Sequence, residues 1–172
     1  MIELLSRTSF GKTSKMANGV LESELDDLDL KILEALQRNA RSTFAELGTL
    51  VGLKPPAVHE RVKRLEGRGF VRGYAAQLDN RRLGLELLAF ISCYTAPDCN
   101  YDAFTSALAQ IPEVLEIHSV AGEESFVLKV MTRSTAHLDE VLTKLKSVRG
   151  MARTKTTIVL STPFERGGIS IQ

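Results

Sequence analysis

Apolar residues in the first half of the chain recur at helical spacing. Beyond Gly84 they give way to short strand-like runs interleaved with helical ones. Leu28, Ile32 and Leu36, with Leu33 and Ala35 alongside, predict a helix that opens near Asp26 or Asp27 and closes at Asn39. Its opening acids, Asp29 included, suit the positive end of the helix dipole. A second helix is predicted from about Thr43, a capping residue, with Phe44, Leu47, Leu50 and Val51 expected inward. Gly48 offers no side chain where helices can cross closely, and Gly52 can supply the left-handed turn that ends the helix. A third helix starts around Pro55 and Pro56, since proline is tolerated in a first helical turn. Val58, Val62 and Leu65 stand at i, i+4 and i+7 and face the core, leaving Ala57, His59, Glu60, Lys63 and Arg64 on other faces. Gly67 and Gly69 stop this helix, and the stretch Phe70 to Leu78 reads as an extended hairpin or wing. Two short helices around a Gly52 turn are the layout of a helix-turn-helix, whose second helix lies in the DNA major groove.

After Gly84 the expected elements are a strand over Leu85 to Tyr94 and a helix over Tyr101 to Gln110. Strands over Val114 to Val120 and Ser125 to Met131 follow. Ser134 caps a helix running to Val148 with Leu138, Val141, Leu142 and Leu145 inward, and Ala152 to Leu160 is a last strand with β-branched alternation. The order β-α-β-β-α-β is the ferredoxin-like split unit, so the class is α+β. Helices cover one face of such a sheet, and dimerisation through the open face is the physical expectation.

The net charge of the 172-residue chain is only +1, but its distribution is uneven. From Lys54 to Arg72 six basic residues (Lys54, Arg61, Lys63, Arg64, Arg68, Arg72) face two acidic ones, Glu60 and Glu66, whereas from Gly73 onward ten basic residues meet eleven acidic ones. Positive charge is therefore concentrated where a DNA-facing helix would lie. A solvated, salt-bridged helix face is the alternative for a charge run taken alone. No apolar run approaches the roughly 20 residues that cross a bilayer. The first residues lack the apolar core of a secretory signal, and two cysteines imply no disulfide framework, so the cytoplasm is the expected compartment.

Residues 1–24 read as a disordered leader rich in Ser, Thr and Gly, with Met16 as an alternative start; a DNA-gripping arm through Arg7, Lys12 and Lys15 is the other reading. No catalytic constellation, metal site or cofactor site is expected: His59, His118 and His137 have no ligand spacing. Cys93 is expected in the core, and Cys99 in a loop where an exposed thiol can sense redox state. The Gly122 loop lacks the lysine and following helix of a phosphate cradle.

These residues resemble the Lrp/AsnC group of feast-or-famine transcription regulators. Leu25-Asp26-Asp27-Leu28-Asp29 with Ile32-Leu33 and Leu36 is similar to the family's opening. Its DNA-binding signature is similar to Glu46-Leu47, Val51-Gly52-Leu53, Val58, Glu60-Arg61-Val62, Arg64-Leu65-Glu66 and Gly69 to Tyr74. The other half matches more loosely, in His118 to Gly122 and Phe126 to Val130. The likeness runs from about Leu25 to Pro163. It implies a winged helix-turn-helix DNA-binding domain over 25–73, a linking strand or hinge over 74–84, a ferredoxin-like effector-binding and oligomerisation domain over 85–163, and a tail over 164–172. It further implies sheet-to-sheet homodimers assembling into tetramers or octamers, with an amino acid or related metabolite bound where dimers meet. By position that effector would draw on Ala121, Gly122, Glu123, Glu124 and Ser125, on Thr135, and on Thr156, Thr157, Ile158 and Val159. Two departures stand out. Family members commonly carry Gly-Asp-x-Asp where this chain has Gly122-Glu123-Glu124-Ser125, which removes an acid that would face an ammonium group. Lys54 replaces the usual serine at the start of the recognition helix; the lost cap costs about 1 kcal/mol, and the lysine can reach a phosphate.

The expected partner is double-stranded DNA, with no membrane. Base contacts are assigned to Pro56, Ala57, His59, Glu60 and Lys63. Ala57 would meet a thymine methyl, Glu60 a cytosine amine and Lys63 a guanine. Phosphate contacts are assigned to Lys54, Arg64, Arg68, Arg72, Arg41 and Thr43, while Arg61 either joins them or pairs within the domain. Two heads on a dimer would read half-sites about one or two turns apart. Two rival functions are an architectural protein that coats DNA without an effector and a tetrapyrrole decarboxylase-like enzyme, in which His118 would be the residue to watch.

Overall fold

Two reciprocal capping boxes start the first two helices of the computed structural model, which describes residues 25–171. In α1 (Asp27–Arg38) the Asp26 carboxylate accepts from the Asp29 N–H at 2.8 Å, and the Asp29 carboxylate accepts in return from the Asp26 N–H. In α2 (Phe44–Val51) Thr43 and Glu46 exchange the same pair of bonds. Each box satisfies backbone donors that a helix start otherwise leaves to water. α3 (Pro55–Gly67) has prolines at its first two positions and no side-chain cap from Lys54.

Ile32 and Leu36 of α1, Leu47 and Val51 of α2, and Val58, Val62 and Leu65 of α3 form one buried cluster. α2 and α3 approach closely because of Gly48: a Cβ there would stand 2.5 Å from the Leu53 carbonyl oxygen. Gly52, at φ 72°, turns the chain between them. Phe44 and Leu50, expected inward, are instead exposed. α2 has only two turns, and its buried stripe is Leu47, Gly48 and Val51. Leu50 lies off that stripe, and Phe44 begins the helix beyond the core, its ring resting 5.1 Å from the His59 ring. A wing is not seen either: from Phe70 to Leu78 no residue pairs with a strand among the described residues. A strand needs a ladder partner, and this stretch finds none among the described residues.

The chain divides into two compact units. One holds the described residues up to Ala75 together with those from Arg166, and the other is Ala76–Glu165. The segment from Arg166 thus belongs to the helical unit, which the sequence reading of a plain tail did not anticipate. The leader lies outside the described residues.

The second unit runs β1 (Leu87–Thr95), α4 (Tyr101–Leu108), β2 (Val114–Ser119), β3 (Phe126–Thr132), α5 (Thr135–Lys146) and β4 (Met151–Ile158). Its sheet order is β2-β3-β1-β4 with every pair antiparallel, as the β-α-β-β-α-β reading requires. Period-two alternation sends Ala89, Ile91 and Cys93 of β1 and Phe126, Leu128 and Val130 of β3 to one face. There they pack with Phe104 and Leu108 of α4 and Leu138, Val141 and Leu145 of α5. Among the described residues no helix covers the other face, which carries Leu88, Phe90, Lys129 and Met131; these line a cavity of about 670 Å³ with Leu78, Leu115 and Leu160.

Candidate nucleic-acid interface and effector surface

Successive residues of α3 turn by about 100°, so its buried stripe of Val58, Val62 and Leu65 fixes where every other side chain points. Pro56, Glu60 and Lys63 lie opposite that stripe, all exposed. His59 is turned toward α2, its ring tilted 59° against that of Phe44, with Nδ1 3.6 Å from the Glu60 carboxylate. Ala57 falls on the opposite flank, with Arg64.

Arg64 does not reach outward as expected of a phosphate contact. Its Nη2 donates to both oxygens of Asp29, at 3.0 and 2.7 Å. Arg61 donates to Asp29 at 2.8 Å and to Asp26 at 2.6 Å, which is the within-domain reading of that residue. Asp29 is only 1% exposed. A buried carboxylate is tolerated because two guanidiniums and a backbone amide satisfy it. Desolvation opposes ionisation of Asp26, but the Arg61 hydrogen bond and the Asp29 amide hold its carboxyl below the usual range. Arg61 is pushed up in turn, chiefly by its bonds to Asp26 and then Asp29. The cluster fastens α3 to α1 and so sets the angle of the presented face.

Thr43 is likewise engaged, its hydroxyl donating to Glu46 at 3.0 Å and accepting from the Glu46 amide at 3.2 Å. It serves as the cap of α2. Thr43→Ala should cost about 1 kcal/mol in a denaturant melt of the helical unit; an unchanged midpoint would show the box to be idle. Two prolines at the start of α3 also leave no backbone N–H at those positions, so the usual anion site of a helix start is largely missing there. Phosphate affinity then falls to side chains: Lys54, Arg68, Arg72 and Arg41 are all exposed. Arg68 also lies 5.3 Å from the Phe70 ring. Tyr74 donates to Glu66 at 2.8 Å, tying the chain after α3 back to its last turn.

In the second unit the expected effector residues fall into two groups. Ala121 to Ser125 form the turn between β2 and β3. The Ser125 hydroxyl lies 2.8 Å from that of Thr95, and its amide donates to the Cys93 carbonyl. Thr95 donates in turn toward the Tyr101 hydroxyl at 3.5 Å. Thr135 follows the far end of β3. Thr156, Thr157 and Ile158 pair with Ile91, Phe90 and Ala89, and the Val159 amide donates to Leu88, so the group runs from mid-sheet at Thr156 to that same far end at Val159. β3 from Phe126 to Thr132, roughly 20 Å at about 3.3 Å per residue, separates Ser125 from Thr135. A single chain therefore does not bring them together.

Other candidate groups have structural roles. His118 lies on the open sheet face with Nε2 2.9 Å from Glu116, whose other oxygen accepts from Lys129 at 2.9 Å. Those bonds, Lys129 first and His118 second, hold the Glu116 carboxyl below its usual range against some desolvation. A depressed carboxylate adds stability above its unfolded value of about 4.3 and loses it as pH falls through the folded value. Glu116→Gln should therefore flatten the acid limb of stability below about pH 4.3, read as melting temperature against pH; an unaltered limb would deny the cluster this role. His137 is satisfied: the Arg133 N–H donates to Nδ1 at 3.3 Å while Nε2 faces Glu113 at 2.9 Å. Burial pushes the Cys93 thiol up to about 12. Cys99 lies in the loop after Pro97, as expected, and is half-buried: its thiol packs against Gly150, and burial and then Asp98 raise it, disfavouring the reactive thiolate that a redox sensor needs. No three His, Cys, Asp or Glu residues among the described ones are grouped to hold a metal, and no helix is long and apolar enough to cross a membrane.

The sequence missed Asp29 as the anchor of α3, the Phe44–His59 contact, and the Thr95 and Tyr101 hydroxyls beside Ser125. The Arg61, Arg64 pair at i, i+3 on one flank was the available signal for the first.

Comparison with known proteins bears on both units. Residues 25–66 match the AsnC-type helix-turn-helix domain, and residues 88–169 match the Lrp/AsnC ligand binding domain. The HTH-type transcriptional regulator LrpA of Mycobacterium tuberculosis is 37% identical over 142 residues, which is 83% of this chain and 94% of that one. The structure of E. coli AsnC superposes with a TM-score of 0.78 at 34% identity, covering 83% of this chain and 96% of that one. A transcriptional regulator from Neisseria meningitidis, solved as its L-Met complex, gives 0.81 at 32% identity, covering 85% and 96%.

Proposed function

The chain belongs to the Lrp/AsnC family of transcriptional regulators, and on that premise we propose which of its surfaces reads DNA and where its effector is held. It is a sequence-specific DNA-binding regulator. The face of α3 made by Pro56, Glu60 and Lys63 enters the major groove, flanked by His59 and Ala57. Lys63 reaches a guanine edge, Glu60 accepts from a cytosine amine, and Pro56 with Ala57 gives apolar contact to thymine methyls. Lys54, Arg68, Arg72 and Arg41 take phosphates and fix register. Arg61, Arg64 and Thr43 shape the head from within. The observation that carries this reading is the Asp29 clamp, because it turns the arginines away and leaves Pro56, Glu60 and Lys63 as the presented face.

Control is by an amino acid held between copies of the chain. The two groups of effector residues, far apart in one protomer, meet when the turn of one copy lies against the β4 end of another. The uncovered sheet face with Phe90, Met131 and Leu115 supplies the apolar surface for pairing. At the turn, the hydroxyls of Ser125, Thr95 and Tyr101 stand where a second acid would otherwise face a ligand ammonium. This chain relies on Glu123 and Glu124 for that charge. The compartment in which it works is the cytoplasm.

A thermal-shift screen against the twenty amino acids, beginning with L-methionine, tests the effector: a ligand of the folded state raises the melting temperature. With a binder in hand, Gly122→Trp and Thr135→Trp should each abolish binding. Mixed and reassembled copies should then regain it, because one site in each mixed pair carries neither change. Mixtures as inert as the single variants would place each site within one chain.

A further inference from the structure

The segment from Arg166 to Ile171 leaves the sheet unit at Glu165 and belongs to the helical one. It is attached to α1 through the Ile169 backbone N–H, which donates to Oε1 of Gln37, in the last turn of that helix, at 2.8 Å. Gly168 makes room for this contact, since a Cβ there would lie 2.5 Å from the same Oε1 and 3.3 Å from Cδ. Beyond it, Ile169, Ser170 and Ile171 alternate apolar, polar, apolar, so an extended backbone sends both isoleucines to one side. Between the segment and the helical unit lies a cavity of about 1090 Å³, lined on the helical side by Leu30, Leu33, Leu36, Phe70 and Val71. Ile169 nevertheless remains 79% exposed, and Ile171 is half-buried. The segment touches α1, and its apolar side chains still have burial to gain.

We propose that residues 166–171 are a releasable strap that closes over the groove between α1 and Phe70–Val71 of the same chain. The occupant is this chain's own end, already seated at the groove mouth and carrying two isoleucines spaced to enter it. The strap makes the end of the effector unit a part of the DNA-binding head. The chain crosses between units twice, at Ala75–Ala76 and at Glu165–Arg166, and the second crossing ends on α1. That helix carries Asp29, on which Arg61 and Arg64 hold α3. Seating the strap orders α1 and with it the frame of the reading helix. Releasing the strap loosens that frame without touching DNA.

Hydrogen exchange on the full chain tests this, alongside a chain ending at Glu165 and the double variant Ile169→Ser, Ile171→Ser. Local opening governs exchange of such amides. The strap requires exchange at Leu36 to Arg38 and at Phe70 to Arg72 to quicken about tenfold in both variants, with β1 to β4 unchanged. Unchanged exchange in both would overturn it. Gln37→Cys with Ile169→Cys, in a Cys99→Ser background, gives a second readout after oxidation. A bridge within one chain on a non-reducing gel supports the strap. A bridge between two chains, or none under oxidation, overturns it in favour of a segment exchanged between copies or one that is not seated.

Discussion

Asp29→Ala should destabilise the helical unit by about 3 kcal/mol, while the sheet unit melts as before. Removing one partner of a buried ion pair leaves the other charges uncompensated, which typically costs about 3–5 kcal/mol. The lower end applies here because the Arg64 side chain is 48% exposed and water can take up part of its charge. The Asp29 carboxylate also closes the capping box at Asp26, so part of the loss comes from α1 itself. Hydrogen exchange across α1 and α3 measures the effect by unit, and circular dichroism melts measure the total. DNA affinity should fall with the folded fraction of the head. The companion variant Arg64→Ala should weaken the fold similarly and leave the salt dependence of DNA binding unchanged, since Arg64 is spent on Asp29. A salt slope reduced by about one would return Arg64 to the phosphates.

Lys63→Ala should weaken binding to a cognate operator by about 10- to 100-fold, the 1–3 kcal/mol of a good base contact. Random duplex DNA should lose much less. Lys63 is exposed, lies opposite the Val58, Val62 and Leu65 stripe, and makes no ion pair among the described residues. Its removal should therefore leave stability within about 0.5 kcal/mol of the parent, as for a surface change away from packing. Fluorescence anisotropy with specific and random duplexes at two salt concentrations separates the roles. Equal losses on both, with a shallower salt slope, would make Lys63 a phosphate contact.

The order of elements was legible because it rests on local pattern. Spacing of Leu28, Ile32 and Leu36, the Gly52 turn, the Ser134 cap and the β-branched run after Met151 placed the elements from α1 to β4 to within two residues. Long-range facts were not legible. Arg64 read as a phosphate contact, and Arg61 as either that or a pair within the domain, because Asp29 stands 35 and 32 residues before them and only the packing of α1 on α3 brings it near. Thr43 was read as a cap, which its bonds with Glu46 bear out. Phe70 to Leu78 has strand-forming composition without a partner strand among the described residues. The effector residues look like one set along the sequence, and only the antiparallel register shows that Ser125 and Val159 lie toward opposite ends of the sheet. The alternation of Ile169 and Ile171 was visible, but nothing local connects it with Gln37.

The most direct test is selection from a pool of random-sequence duplexes by the purified full-length protein at physiological salt. A regulator reading through Pro56, Glu60 and Lys63 on paired heads should enrich a recurring pseudo-palindrome, its half-sites about one or two helical turns apart. Retention of DNA with no enriched sequence, lost uniformly as salt rises, would contradict sequence-specific regulation and leave a protein that coats DNA.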